Sequence, residues 1–162
     1  MDEIKETLVQ VAKLMKISAI TAPKARGVDN IVCKIIEDDE TIGKIAGEME
    51  NLSSELGEAY LRDARSLRNS KVLLLIGCKI VEIMGNRMTD IGISEDMILN
   101  ILNLGIALGS AVKTASLLNV DNRIMFTVGR AAMKMKLLDA DIVLGIPLNA
   151  SPKNIYFDRT RA

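Results

Sequence analysis

The chain has 162 residues, 49% hydrophobic and 26% charged, which is the composition of a folded domain with a sizeable core and excludes a disordered segment. Lys plus Arg and Asp plus Glu number 21 each, so the balanced charge leaves no electrostatic footprint for a nucleic-acid backbone. There is no histidine and there are two cysteines, Cys33 and Cys78, which removes Ser–His and Cys–His catalysis, His-ligated metals and a four-thiolate site within one chain.

Ile4, Leu8, Val11 and Met15 recur at spacings of three and four, so residues 2–17 read as an amphipathic helix. Pro23 and Gly27 break that pattern and make 21–27 a loop. The β-branched run 31–36 reads as a strand. Asp38 and Asp39 are placed to cap a following helix that carries Ile42, Ile45, Met49 and Leu52 on one face. A second helical stretch, about 54–68, turns Leu56, Tyr60 and Leu67 inward, with Gly57 as a kink or break.

Residues 71–78 are an apolar run of the length expected for a strand buried on both faces. The stretch 79–93, with Gly85 and Gly92, is irregular, and Ser94 then caps a long helix reaching about Leu118. Asn100, Asn103 and Ser110 interrupt the uncharged run from Met97 to Val112, which is shorter than a bilayer span and reads as a buried helix. That helix, apolar almost all round, is expected to be the most buried element. Asp121 is expected to cap a helix from Asn122 to about Leu138, with Ile124, Val128, Ala132 and Met135 on its inner face. A third strand, 141–147, is closed by Pro147, and the tail from Leu148 is irregular. The expected fold is a single α/β (α+β) domain over residues 1–162, with a central sheet flanked by helices on both sides.

Few residues look equipped for chemistry, so any reaction is expected to come from a bound cofactor. Lys24 and Arg26 flank the loop at Gly27; they either hold a phosphate or stand as solvated charges. Arg123 has no evident structural need and could bind a carboxylate or phosphate. Arg159 and Arg161 form a terminal pair. Gly105 and Gly109, four apart on one helix face, make a groove open to three uses: packing in the core, a helix crossing in a homodimer, or contact with a cofactor. Met49, Met125 and Met133 read as core filler, and the two cysteines as small buried hydrophobes. The charged N-terminus lacks a secretory pattern, so the chain is read as cytoplasmic with reduced thiols and without a membrane span.

Several blocks together resemble an uncharacterised prokaryotic family of ferredoxin-domain-containing proteins: 21–30 (Thr-Ala-Pro-Lys-Ala-Arg-Gly-Val-Asp-Asn), Arg62-Asp63-Ala64, 74–77, 104–112, Val120-Asp121-Asn122-Arg123-Ile124-Met125, 145–151 and Phe157-Asp158-Arg159. Members typically carry a cysteine cluster between the second strand and the long helix, taken to bind iron–sulfur. Here 79–102 contains no cysteine, so that role does not carry over and no iron–sulfur cluster is expected. The order of elements is also similar to that of flavin-dependent nitroreductases, although that family's N-terminal arginine motif is missing. This likeness implies a nitroreductase-like fold, a homodimer with its flavin between two subunits, and an FMN phosphate held by a final arginine, at the place of Arg159. With Arg159, the loop residues Lys24, Arg26 and Gly27, which stand where that family has polar Ser and Asn, and the unexplained Arg123 are the candidate cofactor-binding residues. The expected function is an FMN-binding redox homodimer; the alternative is a non-catalytic binding or assembly protein that has lost the cluster cysteines.

Overall fold

The computed structural model describes residues 2–157. Helix α1 spans Glu3–Thr21, with the Asp2 carboxylate accepting the Ile4 N–H at 3.1 Å. It runs four residues beyond the expected end at 17, up to the approach of Pro23. A short 3₁₀ turn at Ala25–Gly27 leads into β1, Ile31–Ile36. Asp38 caps α2, Asp39–Leu56, by accepting the Thr41 N–H at 2.7 Å. Gly57, at φ +101°, ends that helix in a conformation that side chains with a Cβ avoid. The break therefore falls at 57 and not at 54; Leu56 is exposed, whereas Tyr60 and Leu67 of α3, Ala59–Arg68, are buried as expected.

Strand β2, Val72–Cys78, is buried at every residue and is the most buried element. Ser94 caps α4, Glu95–Leu117, through its hydroxyl and the Met97 N–H at 3.2 Å. Beyond α4 the structure corrects the expected helix. Asp121 does not cap one; with Asn122 it forms a two-residue strand, β3, against Asn149 and Leu148. Helix α5 is the shorter stretch Phe126–Lys134, so Ile124 lies before it and is exposed. The cause is a non-local partner: Met125 and Gly145 exchange backbone hydrogen bonds of 2.8 and 3.1 Å, which draws 121–125 out along β4, Ile142–Asn149.

Strand β4 continues two residues past Pro147 because the missing N–H falls where none is needed. Residues two apart point their N–H groups to the same side, so Pro147 faces the gap at Arg123, between the β3 pairing and the Met125 bridge. The sheet order is β1-β2-β4-β3, all antiparallel, with Ile31 opposite Cys78 and Val72 opposite Leu148. Alternation on β2 divides the core. Val72, Leu74, Ile76 and Cys78 face α1 and α4, while Leu73 and Leu75 face α2, α3 and α5. The result is a mixed α/β fold, one antiparallel sheet between two helical layers.

Helix α4 departs from expectation most. It is long and apolar enough to cross a bilayer by length and composition, yet it is not the most buried element. One face packs on the sheet through Leu104, Ala107, Ala111 and Ala115; the other leaves Met97, Ile101, Leu102 and Ile106 in solvent. Apolarity all round here reflects a core face and an unpartnered face on the same helix.

Candidate functional site

The N-terminal half of α4 carries a polar stripe, Asp96, Asn100 and Asn103, at i, i+4 and i+7, all three buried. It mounts two loops on the helix. Asn100 holds Val81 at both backbone groups, donating to its carbonyl at 2.8 Å and accepting its N–H at 3.2 Å. Its carbonyl oxygen also accepts from the Asn30 amide at 2.7 Å. Asn103 accepts the Ala25 N–H at 2.8 Å and donates to Asn30 at 3.3 Å. The Asp96 carboxylate accepts three backbone N–H groups, from Ile83, Met84 and Asn86, at 2.8, 2.5 and 2.9 Å. Those bonds hold its pKa below the usual carboxylate value. The sequence pattern shows Asn100 and Asn103 as polar interruptions in an apolar helix; Asp96 and the loops the stripe grips are not legible in it.

Lys24, Arg26 and Gly27 lie together on the first of those loops. The Lys24 ammonium donates to the carbonyls of Ala19, Ile20 and Ala22 at 3.1, 2.5 and 2.7 Å, so it closes the C-terminus of α1, where a cation meets the negative end of the helix. The backbone N–H groups of Gly27 and Val28 are bonded within the 3₁₀ turn. Arg26, itself at φ +53°, is exposed and donates from Nη1 to the Ile83 carbonyl at 3.1 Å. The space where a Cβ of Gly27 would project is open. The donor set thus fits a phosphate through the rest of the Arg26 guanidinium and not through Lys24 or a backbone cradle.

Arg123 lies at the other edge of the sheet. It stacks on Phe157 with the guanidinium carbon 5.1 Å from the ring centroid. Two strands separate β1 from β3, so about 14 Å of sheet lies between the two candidate regions. One chain does not bring Arg26 and Arg123 together. Arg159 lies outside the described residues.

The groove at Gly105 and Gly109 is not used inside the core. Among the described residues nothing comes within 4 Å of where a Cβ would stand at either position, and Ile101, Leu102 and Ile106 flank it in solvent. Two of the three uses expected for it remain, a second helix or a cofactor. An apolar cleft of about 320 Å³ lies beside the start of α4, lined by Met84, Thr89, Glu95, Ile98 and Leu99.

Cys33 and Cys78 sit on the same face of β1 and β2, packed beneath α1 and α4; Cys78 is buried as expected, whereas Cys33 is half-buried. Burial pushes both thiols up to about 11. Among the described residues no three His, Cys, Asp or Glu side chains are placed to share a metal.

Solved structures with this arrangement of elements belong to the nitroreductase fold. A candidate NADH dehydrogenase/NAD(P)H nitroreductase from Bacteroides thetaiotaomicron superposes with a TM-score of 0.63 at 12% identity, over 90% of this chain and 76% of that one. A BluB-like flavoprotein from Clostridium difficile gives 0.62 at 16% identity, covering 89% and 84%. An NADPH:FMN oxidoreductase from Vibrio harveyi gives 0.61 at 12%, covering 90% of this chain and 60% of that longer one. At such identities the likeness shows a shared fold. Sequence is more specific. An uncharacterised protein of Archaeoglobus fulgidus is 38% identical over 175 aligned residues, covering 97% of this chain and 95% of that one. Residues 96–159 match the family described as "Uncharacterized protein containing a ferredoxin domain (DUF2148)". The chain belongs to this family. The matched stretch contains no cysteine in this sequence.

Proposed function

We propose that the chain is a flavin-binding homodimer of the nitroreductase fold that passes electrons or hydride, with two α4 helices crossing at Gly105 and Gly109. The observation that carries this reading is the bare outer face of α4. A run of exposed apolar side chains centred on two glycines is a poor surface to leave in water and a good one for close helix contact. Arg26 presents its free donors to the flavin phosphate, Gly27 keeps the approach open, and Lys24 shapes the loop by closing α1. Arg123 is at the opposite sheet edge, so a ligand that uses both arginines takes one from each subunit. Arg159 is the third proposed phosphate contact. The flavin, when bound, supplies redox chemistry that these side chains lack.

The reading is tested by titrating purified protein with FMN and following flavin fluorescence. Arg159→Ala should weaken binding about ten- to a hundredfold, the usual worth of one charge-assisted phosphate contact. Protein with no affinity below about a millimolar removes the flavin. The rival reading, a binding or assembly protein, then stands. One observation favours that rival: the Lys24 ammonium and the N–H groups of Ala25, Gly27 and Val28 all have partners within the chain.

A further inference from the structure

The stretch 81–87 is gripped from outside by three side chains that act on different backbone groups, while Arg87 within it donates to the Met84 carbonyl at 3.1 Å. Asp96 takes the N–H groups of Ile83, Met84 and Asn86, Asn100 takes both polar groups of Val81, and Arg26 takes the Ile83 carbonyl from the other loop. Gly85 at φ +78° and Asn86 at φ +56° make the sharp bend that aims those N–H groups at one carboxylate, an anion-holding concavity filled from within. Met84, in the middle of the gripped stretch, lines one side of the apolar cleft that Ile98 and Leu99 of α4 also line.

Of these grips, Arg26 alone is exposed and alone reaches across from the loop at 24–27. A guanidinium bonded to a neutral carbonyl gains by exchanging it for an anion, which adds charge–charge attraction and accepts two N–H groups at once.

We propose that 81–87 is a flap latched by Arg26, and that a phosphate group taken up by Arg26 releases the Ile83 carbonyl and lets Met84 lift from the cleft above Ile98 and Leu99. This coupling rests on the reading that Arg26 is a phosphate ligand. The flap then moves only when that site fills. Asn100, at Val81, remains the hinge-side anchor, and the Asp96 bonds to Ile83, Met84 and Asn86 open with the flap. Binding at one loop is thereby transmitted to an apolar cleft on another, through a single side chain.

The test is amide hydrogen exchange on the full-length chain, read at Ile83, Met84 and Asn86, with inorganic phosphate or FMN as the added probe and chloride at matched ionic strength as control. Loss of one latch bond should raise exchange at these three amides about tenfold in Arg26→Ala without ligand. Either probe should produce the same rise in the unaltered protein, and no further rise in Arg26→Ala. Arg26→Lys, which keeps the charge and loses the planar fork, should lie between. Unchanged exchange in Arg26→Ala overturns the latch. FMN that binds without altering these amides overturns the coupling and leaves the flavin reading standing. Faster exchange in Arg26→Ala together with no binding of either probe removes both the flavin reading and the coupling.

Discussion

Asn30 and Asn100 meet in the interior, the Asn30 amide donating to the Asn100 carbonyl oxygen at 2.7 Å, and this contact joins the entry to β1 with the polar stripe of α4. Removing Asn100 would leave both backbone groups of Val81 without partners and take one of the two bonds of the Asn30 amide nitrogen, which keeps the Lys79 carbonyl; the groups are buried or half-buried. Asn100→Ala should destabilise the fold by about 1–3 kcal/mol, the cost of stranding buried polar groups. Urea unfolding checks it: the midpoint should fall with little change in slope.

Two glycine substitutions should behave in opposite ways. A Cβ on Gly129 would stand 1.8 Å from the Val143 carbonyl oxygen, in the seam where α5 lies on β4. Backbone cannot yield as a side chain does, so Gly129→Ala should cost about 1–3 kcal/mol or more. A Cβ on Gly105 meets nothing within 4 Å, and alanine favours helix, so Gly105→Ala should leave the folded chain as stable or up to about 1 kcal/mol more stable. The same change should weaken self-association if that face is a helix crossing. Thermal unfolding at low protein concentration, paired with sedimentation, separates the two effects.

The thiols supply a prediction in alkali. Burial raises both Cys33 and Cys78 to about 11, above the value of a free thiol, so the unfolded chain loses these protons first as pH rises. Their contribution is complete below the unfolded pKa and is lost as pH climbs from about 9 toward 11. Near neutral pH a thiol-specific reagent should react slowly with the native chain and fast once urea is added. Rapid labelling of native protein at neutral pH would contradict the burial described here.

Asp96 acts at the other end of the scale. Its folded pKa is lowered by three backbone N–H groups, so its contribution is present above the unfolded value of 3.8 and is lost as pH falls through the lower folded value. Acid titration followed by circular dichroism should therefore show loss of structure below that point. Asp96→Asn, which cannot ionise, should be less stable at neutral pH and should flatten this part of the acid profile.

The readable parts of the sequence were those set by neighbouring residues. The apolar runs of β1 and β2 and the caps at Asp38 and Ser94 are local signals, and the structure places them as expected. Asp121 misled because an aspartate before a helical pattern is a cap by local logic, whereas Gly145 lies twenty residues away from the Met125 it pairs with. The outer face of α4 was illegible for a different reason. Apolar residues all round a helix look alike whether they meet a sheet, a second subunit or water, and Gly105 and Gly109 declare a groove without saying what fills it. Lys24 depends on where α1 ends: with the helix running to Thr21, the ammonium reaches its last carbonyls, and a candidate phosphate ligand becomes a cap. The asparagine stripe was visible as an interruption, but the loops it holds are up to 78 residues away.

In a dimer that carries flavin between its subunits, protein mass and flavin colour sediment together. Sedimentation velocity in the presence of FMN, recorded both in the protein band and in the visible flavin band, tests it in a single run. One boundary is expected in both signals at twice the 17.7 kDa chain mass, with the flavin signal leaving that boundary in a double Arg26→Ala, Arg159→Ala chain. A boundary at the mass of one chain, with flavin remaining in the slow free pool, would contradict it.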